Sequence, residues 1–364
     1  MRYIKHGLPE YPVAEDMWDQ LSKESRPIVV YGMGNGADKL IERFKKYNIE
    51  ISDFFASDGF VRGHTFHGMR VKSFSEIKET YPEFIIVLSF ASNRLEVLEM
   101  LEKIDSEYEM YVPDMPVAGE EYFDREFYNA HYDEIIKAYE HFSDVDSKNA
   151  YASVINYKLT GKMQYLMDTY STKDELYSEL SETSVKTYID AGAYNGDTAK
   201  EAISYFPEIQ EIVAIEPDPK NYKKLIKFSE TVESPKIRLV NAAVWNESGA
   251  GEFSSSGNRN SSISSTMSYQ HKDTDVSLIS IDSLGLSPDY IKYDVEGAEL
   301  EALMGSHKTI EKTHPTLLVS LYHRSRDIFA IPNYLLEKYP FYKMVLRRLK
   351  CLPAWEIDLL LFDT

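Results

Sequence analysis

The sequence predicts an α/β chain with two Rossmann-like parallel sheets joined by helices, the second sheet doubly wound and ending in an antiparallel hairpin. Three observations predict it. Short β-branched runs alternate with amphipathic helical segments in two separate stretches, the pattern of parallel strands covered by helices. Between those stretches, from Tyr122 to about Glu182, the spacing is helical only. Each alternating stretch also opens with an apolar run that stops at a cluster of glycines, PIVVYGMGNGADK and YIDAGAYNGDTAKEA, the seam where a strand turns into a helix. The expected division is a small Rossmann-like domain over 1–115, a helical connector over 116–184 and a larger α/β domain over 185–364.

In the first stretch, the β-branched run from Pro27 ends at Gly32, Gly34 and Gly36, and Lys39–Tyr47 is amphipathic. Ile49–Phe55, Met69–Val71 and Phe84–Ser89 read as strands, Ser73–Thr80 and Asn93–Lys103 as helices. In the connector, Glu126–Phe142, Ser147–Leu159 and Met163–Tyr170 carry apolar residues at three- and four-residue spacing, and Gly161 reads as a helix stop. The second stretch gives strands at Val185–Asp190, Glu211–Glu216, Ile237–Val244, Val276–Ser280, Tyr290–Val295 and His314–Leu321. Its helices are Thr198–Tyr205, Pro219–Ser229, Glu299–Lys308 and Asp327–Glu337. Gly251–Thr266 reads as a serine- and glycine-rich loop, and Phe341–Leu349 with Glu356–Phe362 as the closing hairpin.

Composition narrows the function. With 43% hydrophobic and 27% charged residues, the chain is of ordinary globular type. Its net charge of −19 repels phosphate backbones and anionic lipid, so neither nucleic acid nor a membrane surface is expected as the main partner. Arg347, Arg348 and Lys350 form the one basic cluster of note. A single cysteine, Cys351, excludes an intrachain disulfide and a cysteine-based zinc site. No signal-peptide pattern opens the sequence, and no apolar run approaches membrane-spanning length, which suits a reducing, cytoplasmic setting. The 27 tyrosines read as half-buried packing.

Ligands of a doubly wound sheet bind beyond the carboxyl ends of its strands. There, Asp190 is followed by Gly192 and Gly196, glycines that would let a ligand approach the backbone, and Glu216 ends the next strand in AIEPDP. A carboxylate at that second position accepts hydrogen bonds from ribose hydroxyls. Acids after both strands fit a ribose-bearing ligand without a pyrophosphate, such as S-adenosylmethionine. Asn241 and Ala242 would line an adenine pocket, and Asp294, Glu296 and Gly297 end a buried strand on the same lip.

These residues resemble a known family. DAGAYNGDT, AIEPDP, LVNAAVW, the serine pair Ser261-Ser262 before Ile263, and IDSL followed by IKYDVEGAELEAL are similar to the FkbM-type S-adenosylmethionine-dependent O-methyltransferases, from about Val185 to the C-terminus. SKNAYASVINYKLTGKMQYL is similar to the segment that precedes the catalytic domain in many bacterial members. The resemblance implies a class I methyltransferase sheet, S-adenosyl-L-methionine as cofactor, and contacts from Asp190, Gly192, Ala193, Tyr194, Asn195, Gly196, Glu216, Pro217, Asn241, Ala242 and Asp294. Tyr194 departs from the family pattern by standing where its middle glycine is expected, so its side chain would help close the site. Tyr293 stands where an apolar residue is expected. The acceptor implied is a sugar or another small hydroxylated metabolite.

Three candidates for a catalytic base follow. His323, beyond the strand Pro315–Leu321, is the favoured one, with an ordinary pKa near neutrality; Asp294 and Glu296 are the others. Plainer roles are Asp294 as a helix cap and His323 as an exposed loop residue, while Glu299 reads as a first-turn acid on a helix dipole. Asp294 and Glu296 could instead orient the substrate or bind a divalent cation with a hydroxyl pair. A metal is not the favoured reading, because the oxygen ligands show no dedicated spacing, and His64 and His67 read as solvated. In the first domain, Gly32, Gly34 and Ala37 satisfy G-x-G-x-x-A, but Asp58 lies farther on than the ~20 residues of an NAD site. GHTFHGMRVKSFSEI resembles the small domains that precede sugar-modifying acyltransferases, which implies a nucleotide-linked sugar there. A non-enzymatic nucleotide-sugar or S-adenosylmethionine binding module and an NAD-dependent oxidoreductase remain the alternatives.

Overall fold

The computed structural model describes residues 7–61, 63–180, 184–254, 262–263 and 273–363. Five parallel strands build the first sheet: β1 (Ile28–Tyr31), β2 (Asp53–Ala56), β3 (Lys72–Ser73), β4 (Ile85–Leu88) and β5 (Met110–Tyr111), in the order β3-β2-β1-β4-β5. Every residue of β1, β2 and β4 is buried, as expected for parallel strands covered on both faces. The glycine turn leads into the helix Asn35–Tyr47. A Cβ at Gly36 would stand 2.0 Å from the Ser89 carbonyl oxygen, so this glycine lets the helix pack onto the end of β4.

The connector consists of Arg125–Ala130, Tyr132–His141, Val145–Thr160 and two shorter helices, Gln164–Met167 and Lys173–Leu180. The predicted helix Glu126–Phe142 is broken at His131, and Met163–Tyr170 is helical only in part. Gly161 ends the longest helix in the left-handed conformation, as expected. One hydrophobic core runs from Val29 and Phe55 of the first sheet through Tyr128, Tyr151 and Val154 of these helices to Ile189, Ile291 and Leu317 of the second sheet. The helices therefore weld the two sheets together by burial of apolar surface.

Seven strands form the second sheet: β6 (Thr187–Ala191), β7 (Glu211–Ile215), β8 (Lys236–Val240), β9 (Tyr290–Tyr293), β10 (Thr316–Ser320), β11 (Tyr342–Arg348) and β12 (Ile357–Asp363). Their order is β8-β7-β6-β9-β10-β12-β11. The first five are parallel, and β12 runs antiparallel to both β10 and β11. The predicted architecture holds, including the closing hairpin. The order reverses between β6 and β9, which opens a crevice at their carboxyl ends.

Three predicted elements differ. Ile237–Val244 is not one strand: Asn241 turns out of β8, its side-chain amide donating to the Glu216 carbonyl at 2.8 Å, and Ala243–Val244 joins a separate small sheet. In that sheet Gly249–Ser254 pairs with Asp273–Ile279, so the expected loop begins as a strand. Most of the loop, with Ser261 of the serine pair, lies outside the described residues. Glu299–Lys308 is interrupted at Gly305, where a Cβ would stand 2.1 Å from the Trp245 carbonyl oxygen.

Candidate functional site

The crevice between β6 and β9 opens into a cleft of about 460 Å³. Of the predicted site residues, Gly192, Tyr194, Glu216, Pro217, Ala242, Asp294 and Glu296 line it, and Ala193, Asn195, Gly196, Asn241, Asp190 and His323 lie off its wall. The glycines also have a reason within the fold. A Cβ at Gly192 would lie 1.8 Å from the Asp294 carbonyl oxygen, and one at Gly196 would lie 2.3 Å from the Phe228 ring. Both also have positive φ, +89° and +91°. Both glycines let protein approach protein, and Gly192 also lines the cleft. Tyr194, at φ 46°, adopts the left-handed region without being glycine, a strained conformation of the kind that collects at sites.

Beneath the cleft, Asp190 is fully buried and accepts a 2.6 Å hydrogen bond from the Thr198 hydroxyl. Burial pushes its pKa up, opposed by the Lys292 ammonium, which stands 3.9 Å away. Glu216 accepts from the backbone N–H of Tyr194 at 3.0 Å and of Asp218 at 2.8 Å. Burial nevertheless lifts its pKa to about 7.

Lys292 was missed in the sequence. Strand alternation puts it on the same face as Asp294, and Asp190 is its register partner on β6. Its ammonium donates to Asp294 Oδ2 at 3.0 Å. Burial works against the charge, yet Asp294 and Asp190 hold the pKa above the ordinary lysine value. Asp294 is correspondingly brought down to about 2 against burial, mainly by Lys292 and then by His323. The Tyr322 hydroxyl donates to its other oxygen at 3.1 Å.

His323 sits behind this wall, 1% exposed. Its Nδ1 lies 2.9 Å from Glu299 Oε1, and its Nε2 lies 3.5 Å from both Asp294 Oδ1 and Glu296 Oε2. Burial opposes its charge, but Glu299, Glu296 and Asp294 raise its pKa to about 10. An imidazole near neutrality was expected; three carboxylates make it a held cation instead. Glu299 is likewise no surface dipole acid. It is buried and accepts from the Val295 and Gly297 N–H groups at 2.8 and 3.3 Å. Glu296, at φ 56°, has its pKa raised to about 8 by burial. Asp358 on β12 also lines the cleft, its pKa lifted to about 8 by burial and then by Glu356; a lone acid in the apolar run IDLLLF was its signal. Tyr293 is buried in the main core. His67 pairs with Asp38 at 2.7 Å on the surface.

Residues 190–344 match the family description Methyltransferase FkbM domain. The structure is similar to a methyltransferase FkbM from Methylobacillus flagellatus KT, with a TM-score of 0.70 and 17% identity over 98% of this chain and 95% of that one. That likeness extends the shared fold to the first sheet and the connector. Weaker likenesses reach an rRNA methylase from Streptococcus thermophilus (TM-score 0.35, 10% identity, 52% of this chain and 94% of that one). Another is a candidate methyltransferase from Streptococcus mutans in complex with SAH (TM-score 0.36, 13% identity, 53% and 99%). No curated protein sequence matches. No helix among the described residues is long and apolar enough to cross a membrane. The matched stretch holds Gly192, Glu216, Ala242 and Asp294, which line the cleft, and it is this part of the chain that is similar to the FkbM methyltransferase domain.

Proposed function

We propose that the chain is an S-adenosylmethionine-dependent O-methyltransferase acting on a hydroxyl of a sugar or another small hydroxylated metabolite. One observation carries the reading: Glu216, Asp294, Glu296 and Asp358 face a single cleft at the switch point of the sheet, against the buried Lys292. Such a cleft favours a ligand that brings positive charge. We assign Glu216 to the ribose hydroxyls, since each of its oxygens accepts one backbone N–H and keeps a lone pair. Ala242, Ala243 and Val244 offer a small apolar wall for adenine, with Tyr194 and Pro217 beside it. Asp190 and Asn241 act from behind, Asp190 through Thr198 and Asn241 by holding the Glu216 carbonyl.

Bound there, S-adenosylmethionine supplies a methyl group already activated by its sulfonium. The chain has to align the acceptor oxygen, exclude water and take up the hydroxyl proton. Asp294 and Glu296, with side chains 28% and 29% exposed, reach the cleft and are the groups we assign to that proton. His323 acts on them from behind. A second cavity of about 210 Å³ lies beside Gly36, Lys39 and Phe90, and shares Val117 and Trp355 with the main cleft. We assign it the distal part of an extended acceptor such as a nucleotide-linked sugar.

Calorimetric titration with S-adenosylmethionine tests the reading. Micromolar binding by the wild type, lost in Glu216→Ala and Asp190→Ala, supports it and justifies screening sugars for S-adenosylhomocysteine release. Absence of binding by the folded wild type overturns it, and binding of NAD in its place would favour the oxidoreductase.

A further inference from the structure

From Asp294 the main cleft extends sideways across two neighbouring strands, to Ser320 at the end of β10 and Asp358 in β12. Ser320 and Asp358 are register partners, and strand alternation places both on the face that carries Lys292. Ser320 is 2% exposed and Asp358 6%, yet neither side chain makes a hydrogen bond or an ion pair among the described residues. Buried polar groups ordinarily find partners, so an unpaired hydroxyl and an unpaired carboxyl side by side call for an explanation. Lys292, the cation on that face, is engaged by Asp294 and Asp190. The wall around the pair is fixed. Tyr170 of the connector and Trp355 of the loop between β11 and β12 line the same cleft. Next to Tyr170, the Ser171 N–H donates to the Arg348 carbonyl at 2.8 Å, and Ser92 of the first domain exchanges hydrogen bonds of 2.8 and 3.0 Å with Leu352 of that loop.

We propose that Ser320 and Asp358 bind the acceptor, a sugar ring without acidic groups, through hydroxyls other than the one that reacts at Asp294. The spacing fits one ring. From β9 to β12 is two strand separations, about 9–10 Å, and a hydrogen bond of about 2.7 Å at each end leaves roughly 4 Å for a six-membered ring between them. The chemistry fits hydroxyls, each of which donates and accepts. Burial lifts the pKa of Asp358 to about 8, so near neutrality its carboxyl also donates and accepts, which matches a hydroxyl better than a cation. Asp294, Glu296 and Asp358 line one cleft and would repel a carboxylate or phosphate carried on that ring. Tyr170 and Trp355 supply the apolar surface that a sugar's C–H faces need. The position of the reacting hydroxyl rests on the methyltransferase reading; the binding of sugar by Ser320 and Asp358 does not.

The test is saturation-transfer NMR of the full chain with a panel of neutral methyl glycosides of hexoses and pentoses, each hexoside beside its uronic acid, with and without S-adenosylhomocysteine. At least one neutral glycoside is expected to bind, more tightly than its uronic acid. Its affinity should fall about tenfold in Asp358→Ala and about fivefold in Ser320→Ala, the loss of roughly one hydrogen bond each. Ser320→Ala removes a single oxygen and keeps the test open if Asp358→Ala does not fold. Asp358→Asn, of the same shape, should unfold at no lower urea concentration than the wild type, because no protein partner loses a bond. No glycoside bound at tens of millimolar, equal binding by the wild type and both alanine variants, or tighter binding of the uronic acids overturns the subsite. Titration of the same proteins with S-adenosylmethionine separates the two readings, and both alanine variants should bind it like the wild type. Cofactor bound without any glycoside removes the subsite alone, and glycoside bound through Asp358 without cofactor removes the methyltransferase reading alone.

Discussion

The chain contains the same seam twice, strand into glycine turn into helix, and the two copies differ in what surrounds them. At the first, Gly36 lies against the Ser89 carbonyl, and the adjoining cavity of about 210 Å³ has no carboxylate in its wall, which includes Met33, Leu40, Phe90, Met115 and three prolines. At the second, Gly192 lies against the Asp294 carbonyl, and the cleft is about twice as large and rimmed by carboxylates. The glycines are alike in their cause: both remove a Cβ that backbone would strike. What distinguishes the second seam is acid at the ends of β7 and β9. Glycine marks where elements touch, and the charged strand ends mark the site.

That comparison is broken most directly at the glycines. Gly192→Ala is expected to cost more than about 3 kcal/mol, because a Cβ 1.8 Å from a carbonyl oxygen at φ +89° has no room to relax. Gly36→Ala should fall in the same range, with its Cβ 2.0 Å from Ser89 O. Thermal and urea unfolding measure both. A Gly192→Ala protein of wild-type stability that has lost only cofactor binding would return the glycine to the ligand.

Lysine pairs give the next contrast. Lys292→Met leaves the buried Asp190 and the partly exposed Asp294 without the cation they share, and a loss of about 3–5 kcal/mol is expected. In the first sheet, Lys72 bonds Asp53 at 2.7 Å near an edge strand and is more exposed. Lys72→Met should cost less, about 1–2 kcal/mol, because Lys72 is partly exposed and the Tyr81 hydroxyl still donates to Asp53. Equal losses, read from urea unfolding, would remove the distinction between a charged cleft floor and a half-buried pair at the sheet edge.

The architecture was legible because it rests on periodicity. Alternating strand and helix, the helical connector and the terminal hairpin all follow from apolar spacing, and so does the placement of Asp190, Glu216 and Asp294 at strand ends. The contacts that turn a strand end into a site were not legible, since they are long-range. Glu299 reads as a helix-dipole acid until β10 brings His323 to within 2.9 Å of it. His323 reads as a neutral base until three carboxylates close around it. Asn241 ends β8 early because its amide reaches the Glu216 carbonyl across the sheet edge, which hid the split of Ile237–Val244. Lys292 carried a usable signal, a lysine two residues before an acid on one face of a buried strand.

Glu216→Gln tests the acid at the end of β7. Hydrogen bonds to a charged group are worth about 1.5–3 kcal/mol, so S-adenosylmethionine affinity is expected to fall about ten- to a hundredfold. Asp58→Asn, which alters the acid just beyond β2, should leave it unchanged, because Asp58 serves Ser75 at the surface. A fall in both variants would make the first seam part of the cofactor site.

The smallest effect is the dependence on pH, and its sign follows from burial. The pKa of Glu216 rises from 4.5 to about 7 on folding. Between those values the folded chain keeps a proton that the unfolded chain has released. Its contribution to stability is therefore fully present below pH 4.5 and is lost as pH rises through about 7. Cofactor binding runs the other way, since ribose hydroxyls need the carboxylate as acceptor. The ionised fraction of a group with pKa 7 grows about tenfold between pH 6 and pH 8, so affinity should rise by up to that factor. Below pH 7 binding should release a proton, seen as a heat that varies with the buffer's ionisation enthalpy, and at pH 8.5 it should not. Glu216→Gln is expected to abolish both the rise and the proton release. An unchanged pH profile in that variant would move the titrating group elsewhere in the cleft, and with it the claim that the acid closing β7 is what separates the second seam from the first.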